Sequence, residues 1–197
     1  MRRFVFIGQR ALASPEFSLD DLAGTSGRLD VLLRALRAAL MVSHGLRRDA
    51  VAYLVLLGGP RAPRTLRFDG GAVQFLRPEE RSLATLVRKV LTAAPDAARE
   101  FTLVRPGIWV VDAGLSAVLA DLGGATPYVL EEGAPDVRAA AIDTENAAFF
   151  LGDHTGFDPA ARAELARIGA ATLGLGPVSV HVEDAVTIVS NELDRRG

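Results

Sequence analysis

Three short stretches of this chain are apolar without a break. Phe4-Val5-Phe6-Ile7 sits inside a strand expected over residues 3–9, residues 52–57 and 149–151 repeat the pattern, and a fourth, at 172–175, is interrupted by Gly174. A strand with one face in water alternates apolar and polar residues; a strand apolar throughout is buried on both faces. Helical spacing fills the intervals. Leu29, Leu32, Leu33, Leu36 and Leu40 recur within a helix expected from Gly27 to His44, with Gly45 as its stop. Strands alternating with helices predict an α/β fold, a mostly parallel sheet with helices on both faces. A length of 197 residues suits a single domain, and 49% apolar residues supply its core.

The other elements follow from local grammar. Residues 10–24 read as a long loop, of a length often found at functional sites. Thr65–Phe68 and Ala72–Leu76 predict a hairpin about Asp69-Gly70-Gly71. A helix is expected over residues 81–93, a strand and helix over 108–111 and 113–122, and a short strand over 128–130. Residues 134–146 are acidic and irregular and read as a surface segment. Two helices, from Pro159 to about Gly169 and from Ala185 to Leu193, close the pattern.

Composition removes several classes of function. No apolar run reaches 18 residues, so no membrane helix is expected. The apolar run after Met1-Arg2-Arg3 ends at Gly8, too short for a secretion signal. With no cysteine there is neither disulfide nor thiolate chemistry, and a cytoplasmic location is the simplest expectation. His44, His154 and His181 lie in different segments without metal-binding spacing, so no metal is expected. A net charge of −2 argues by itself against a nucleic-acid binder. Yet every basic residue but Lys89 is arginine, whose planar fork suits phosphates and base edges; a GC-rich genome would favour the same residue. Arginines gather at Arg61, Arg64 and Arg67 and again at Arg77, Arg81 and Arg88.

Two loops share one grammar. Phe149-Phe150-Leu151-Gly152-Asp153-His154 leads to Asp158-Pro159, a good helix cap and first helical residue. Leu173-Gly174-Leu175-Gly176-Pro177-Val178-Ser179-Val180 leads into the last helix. In open α/β sheets, ligands bind beyond the carboxyl ends of adjacent strands, where such loops gather.

The motifs "FLGDH-GF", "LGLGP-S-H-ED" and "NELD" resemble the C-terminal half of the archaeal tRNA (pseudouridine-54-N1)-methyltransferase family, in the SPOUT superfamily. "PEFSLDDLAGTSGRLDVLLRAL", "SHGLRRD" and "PEERSLATLVRKVL" extend the resemblance over nearly the whole chain. It implies a single SPOUT domain over residues 1–197 with a C-terminal trefoil knot. It implies an S-adenosylmethionine-dependent enzyme that methylates N1 of pseudouridine in tRNA, and a homodimer. The cofactor residues it implies are Leu130, Gly152, Leu175, Gly176, Pro177, Val178, Ser179, Val180 and Ala185. The more distant Nep/Emg ribosomal-RNA pseudouridine N1-methyltransferases are similar at Arg28-Leu29-Asp30 and at Pro63–Gly70. Those matches imply a catalytic role for Asp30 and Arg28, and RNA contacts for Arg28, Arg64 and Arg67. The nucleophile would belong to the RNA, so orientation and electrostatics carry such a reaction and no catalytic triad is needed.

The chain departs from the family pattern at Gln9-Arg10, at Leu22-Ala23-Gly24 and at Val182-Glu183-Asp184. Two other readings therefore stay open: methylation of another RNA such as ribosomal RNA, or a non-catalytic homologue that binds RNA or S-adenosylmethionine. For Asp30, Leu130 and Leu175, a helix-end charge and plain core packing are the ordinary alternatives.

Overall fold

The computed structural model describes residues 1–197. In chain order the elements are β1 (Arg2–Leu12), α1 (Leu22–Thr25), α2 (Leu29–Leu40), β2 (Met41–Val42), β3 (Gly45–Leu46), β4 (Ala50–Gly58) and β5 (Arg64–Asp69). There follow α3 (Glu80–Ala93), β6 (Thr102–Arg105), β7 (Ile108–Val111), α4 (Leu115–Asp121), β8 (Thr126–Leu130) and β9 (Ala147–Gly152). Then come α5 (Pro159–Arg167), β10 (Ala171–Leu173) and α6 (Val182–Arg196).

Eight strands form one sheet in the order β10-β8-β9-β1-β4-β5-β7-β6. The five from β10 to β4 are parallel, with Phe4 opposite Ala52 on one side and Phe149 on the other. The remaining three are antiparallel. The mostly parallel α/β sheet expected from the apolar runs is thus present. Alternate residues of β1 serve opposite layers. Phe4 and Phe6 join the core under α2, α3 and α6, while Val5 and Ile7 join the core under α4 and α5. Both faces are covered, which is why the middle of β1, Phe4–Ile7, is apolar throughout while its polar residues fall at the ends.

Several expectations are corrected. No hairpin forms about Asp69-Gly70-Gly71. β5 pairs on one side with β4, Leu66 opposite Leu54, and on the other with β7, Leu66 opposite Val110. Both its edges are occupied, so residues 72–76 have no edge to join. The Asp69 carboxylate and carbonyl instead accept hydrogen bonds from the backbone N–H groups of Gly71 and Val73, at 2.8 and 2.7 Å, and turn the chain away. The helix expected to reach His44 ends at Leu40, because Met41 and Val42 pair with Leu46 and Gly45. Residues 10–24 are less of a loop than expected: β1 runs to Leu12, α1 begins at Leu22, and Phe17 is buried between them. β6 has no counterpart in the sequence reading. Residues 134–146 are irregular, as expected, but anchored: Val137 is buried, and the Arg196 guanidinium donates to the carbonyls of Val137 and Ala140 at 2.7 and 2.8 Å.

Val186, Val189 and Leu193 of α6 are buried in the core that contains α2, so the apolar side of this helix packs within the chain. No helix is long and apolar enough to cross a membrane.

Candidate cofactor and substrate site

β8, β9 and β10 are neighbours and run in one direction, so their carboxyl ends open at the same edge. There a cavity of about 870 Å³ is walled by the loops that leave them. That volume lies within the roughly 300–1,000 Å³ typical of small-molecule sites. Leu130, Gly152, Leu175, Gly176, Val178, Ser179, Val180 and Ala185 all line it, residues that span 56 positions of sequence. Pro177, expected with them, lies in the same loop but not on the wall.

Backbone constraints shape the cavity. Gly152 packs against the next turn so closely that a Cβ on it would lie 2.6 Å from the Gly156 carbonyl carbon. Gly176 has φ of +121°, a conformation that only glycine adopts without strain. The loop holding Gly176 is tied down on both flanks. Gly174 donates to the Pro135 carbonyl and accepts from Val137, both at 2.8 Å, and the Ser179 hydroxyl donates to Glu132 at 2.5 Å.

The loop after β9 is built on Asp153, a buried carboxylate. It accepts from the backbone N–H groups of Gln9 and Thr155, each at 2.8 Å, and from the Thr155 hydroxyl at 2.5 Å. The Gln9 backbone therefore supports the site, and its side-chain amide also reaches the Gly156 carbonyl at 3.4 Å. At the next step of the chain, the Asp158 carboxylate caps α5 by accepting from Ala161 at 2.7 Å. The cap and the proline that follows it were both legible in the sequence.

The opposite wall comes from the start of α2. Arg28 is the residue before the helix and has φ of +69°, a left-handed conformation costly for a side chain of this size. Its guanidinium and that of Arg34 both line the cavity, and both hold Asp30. Arg28 meets Asp30 through two hydrogen bonds of 3.0 and 3.2 Å, and Arg34 through one of 3.0 Å. Asp30 is only 4% exposed and is not itself on the cavity wall. Burial pushes its carboxyl up, but the hydrogen bonds from Arg28 and Arg34 outweigh burial and hold it below the usual carboxylate range. Arg34 further binds Glu183 of α6 at 2.9 Å and Glu80 of α3 at 3.2 Å, which joins three helices at the mouth of the cavity.

Asp153, His154, His181, Arg34 and Glu183 line or support this site and were not singled out beforehand as site residues. The two histidines come from different segments that only the sheet order brings together. The helical period does place Arg34 one turn beyond Asp30, and that spacing was the available signal.

Arg64 and Arg67 lie elsewhere. Arg64 is 1% exposed, and its Nε binds Asp112 at 2.5 Å. Arg67 stacks over the Trp109 ring at 4.5 Å and pairs with Asp121 at 3.2 Å. Tyr53 completes this group with a 2.7 Å hydrogen bond to Asp121; burial first, then that bond, pushes its phenol well up. β5 is interior to the sheet, and both arginines, expected to contact RNA, pair instead with acidic partners in the chain. No group of three histidine, cysteine or acidic side chains is arranged to hold a metal.

The residues fit S-adenosylmethionine by their chemistry. Leu130, Leu175 and Val180 give apolar walls, and Glu131, Glu132 and Glu183 add acceptors suited to hydroxyls, Glu131 and Glu183 being also paired with Arg162 and Arg34.

The profile of a protein family described as "Putative SAM-dependent RNA methyltransferase" matches residues 1–197. The chain is 39% identical to the tRNA (pseudouridine(54)-N(1))-methyltransferase of Methanosarcina mazei over 195 residues, covering 99% of this chain and 92% of that protein. It is 40% identical to the enzyme of the same name from Halobacterium salinarum over 198 residues, covering 100% and 98%. The crystal structure of Archaeoglobus fulgidus Nep1 bound to S-adenosylhomocysteine superposes with a TM-score of 0.66 over 98% of this chain and 97% of that one. At 16% identity it shows a shared fold alone. With a match along its entire length and relatives this similar, the chain belongs to the S-adenosylmethionine-dependent RNA methyltransferase family that includes the archaeal tRNA (pseudouridine(54)-N(1))-methyltransferases.

Proposed function

We propose that residues 1–197 act as one unit that methylates N1 of pseudouridine in tRNA, at position 54 of the T loop, with S-adenosylmethionine as methyl donor. The observation that carries this reading is one cavity with two unlike walls. One wall is the glycine loops after β8, β9 and β10; the other is Arg28, held in a strained conformation. Bound against the glycine loops, the cofactor supplies an electrophilic methyl group. The chain's own contribution is orientation. Arg28 offers a guanidinium to the phosphate or base of the target nucleotide. Asp30 fixes that guanidinium with two hydrogen bonds and is a poor base, since both its oxygens are engaged and its carboxyl is held ionised. The N1 proton therefore passes to water as the methyl arrives. Asp30 is a positioning residue in this reading.

The test is single-turnover transfer of labelled methyl to a T-arm RNA carrying pseudouridine at position 54, beside the same RNA carrying uridine. Transfer to the first alone is expected. Methylation of both, or of neither while the cofactor binds, would overturn the reading; the second result would favour a non-catalytic homologue. Gln9 is compatible with cofactor binding in either case, because its contacts to Asp153 and Gly156 keep the cofactor loop in place.

Three finer points share this reading. Residues 131–146 would be the loop of the trefoil knot, which the pairing of Pro135 and Val137 with Gly174 supports. A homodimer would cover Val178 and Val180, which stand 72% and 41% exposed at the cavity rim; a monomeric mass by light scattering at micromolar concentration would refute it. A tRNA substrate would place the protein in the cytoplasm.

A further inference from the structure

A second cleft, of about 900 Å³, lies between α3 and the segments around Phe75 and Arg105. Phe75 is 93% exposed and has φ of +56°. A phenyl ring in water and a left-handed backbone both cost free energy, and no contact within the chain offsets either. The cleft is also strongly basic. Arg77, Arg81, Lys89 and Arg105 line it against a single acid, Glu79, in a chain whose net charge is −2. Of the four, only Arg81 has an ion-pair partner, Asp20 at 2.7 Å. Lys89 is the one lysine of the chain.

This cleft is connected to the cavity already described. Glu80, the first residue of α3, binds Arg34 on that cavity's wall. Lys89 lies nine residues further along the same helix, about 14 Å at the rise of an α-helix. α3 thus runs from the wall of the first cavity to the lining of the second, a course that a strand of RNA with its target nucleotide at Arg28 could follow.

We propose that this cleft holds an unpaired nucleotide that flanks the methylation target. Its base stacks on Phe75, and its phosphates lie among Arg77, Lys89 and Arg105. An exposed aromatic ring among cations binds the face of a base, and a base face is free only where the strand is unpaired. A duplex would engage the cations but not the ring. The inference rests on the RNA methyltransferase reading above and adds to it a second, sequence-tolerant contact that selects looped RNA.

The experiment compares binding of a pseudouridine-containing T-arm stem-loop with binding of its stem as a blunt duplex, for the wild type, Phe75→Ala and the double variant Arg77→Glu, Lys89→Glu. Phe75→Ala should weaken the stem-loop about tenfold and leave the duplex unchanged. The double variant should weaken both and lower the salt dependence. All three proteins should bind S-adenosylmethionine equally by calorimetry. In Phe75→Trp, tryptophan emission should be quenched by the stem-loop and not by the duplex. Variants that bind the stem-loop like the wild type would overturn the inference alone. A wild type that binds the cofactor but no RNA would bring down the functional reading with it. A Phe75→Ala protein with unchanged RNA affinity that shifts from dimer to monomer would assign the ring to self-association instead.

Discussion

The Arg28 guanidinium grips the Asp30 carboxylate with two hydrogen bonds, Nε to Oδ1 at 3.0 Å and Nη2 to Oδ2 at 3.2 Å. The pair sits where a buried acid meets the cavity wall. If Asp30 positions Arg28, then Asp30→Asn should weaken RNA binding and lower the methylation rate together, each about tenfold, through a misaligned guanidinium. A general base would behave otherwise, with RNA affinity kept and the rate down 10²-fold or more, as an order of magnitude. The pH profile separates the two as well. Because Asp30 is held below the usual carboxylate range, the wild-type rate should show no acid limb from it above about pH 5.

Gly176 and Gly152 should matter for different reasons. At Gly176 a side chain has open space, but the backbone at φ +121° does not tolerate one. Gly176→Val should therefore reshape the loop and abolish S-adenosylmethionine binding without unfolding the protein. At Gly152 the obstacle is contact, so Gly152→Ala should displace the turn at Gly156 and weaken cofactor binding. Calorimetric titration checks both; unchanged affinity in either would remove that loop from the site.

Arg64→Ala should act on stability and not on RNA. Removing one partner of this interior pair leaves Asp112 poorly compensated, at a cost of about 3 kcal/mol. Arg67→Ala should cost about 1 kcal/mol through the lost stacking on Trp109. Urea denaturation reads both, and RNA affinity measured on the folded variants should match the wild type. A selective loss of RNA affinity with full stability would restore the RNA-contact role.

Acid should destabilise the fold through carboxylates that the folded chain holds low, Asp194, Asp112 and Asp30 among them. Hydrogen bonding from Arg47 leads in holding Asp194 low. For Asp112 and Asp30 burial pushes upward first, and the arginine hydrogen bonds outweigh it. A carboxyl lowered in the folded state takes up protons more readily when unfolded. Its contribution is complete above the unfolded value of about 4 and is lost as pH falls through the folded value. The urea midpoint should be level from about pH 7 to 5 and fall below about pH 4. Asp194→Asn should make the fall shallower, and an unchanged acid limb in that variant would exclude Asp194 as a contributor.

Much of this protein was legible in its sequence, and for a definite reason. Continuous apolar runs such as Phe4–Ile7 and Phe149–Leu151 admit only burial on both faces, which leaves a parallel sheet between helices. Glycines at 152 and 176, and the cap at Asp158, are local requirements of backbone geometry written directly into residue type. Pairing partners are not written that way. β5 carries apolar residues that suit either a hairpin or an interior strand, and the choice of β4 and β7 depends on chain far from it. That choice turned Arg64 and Arg67 from surface groups into buried and stacked ones. Side-chain contacts between distant elements were equally invisible: Arg34 joins α2, α3 and α6 across 149 residues, and Asp153 takes its support from Gln9 across 144. A charge in a linear sequence declares its sign and reach, but the fold alone decides whether it faces RNA, an opposite charge or the core.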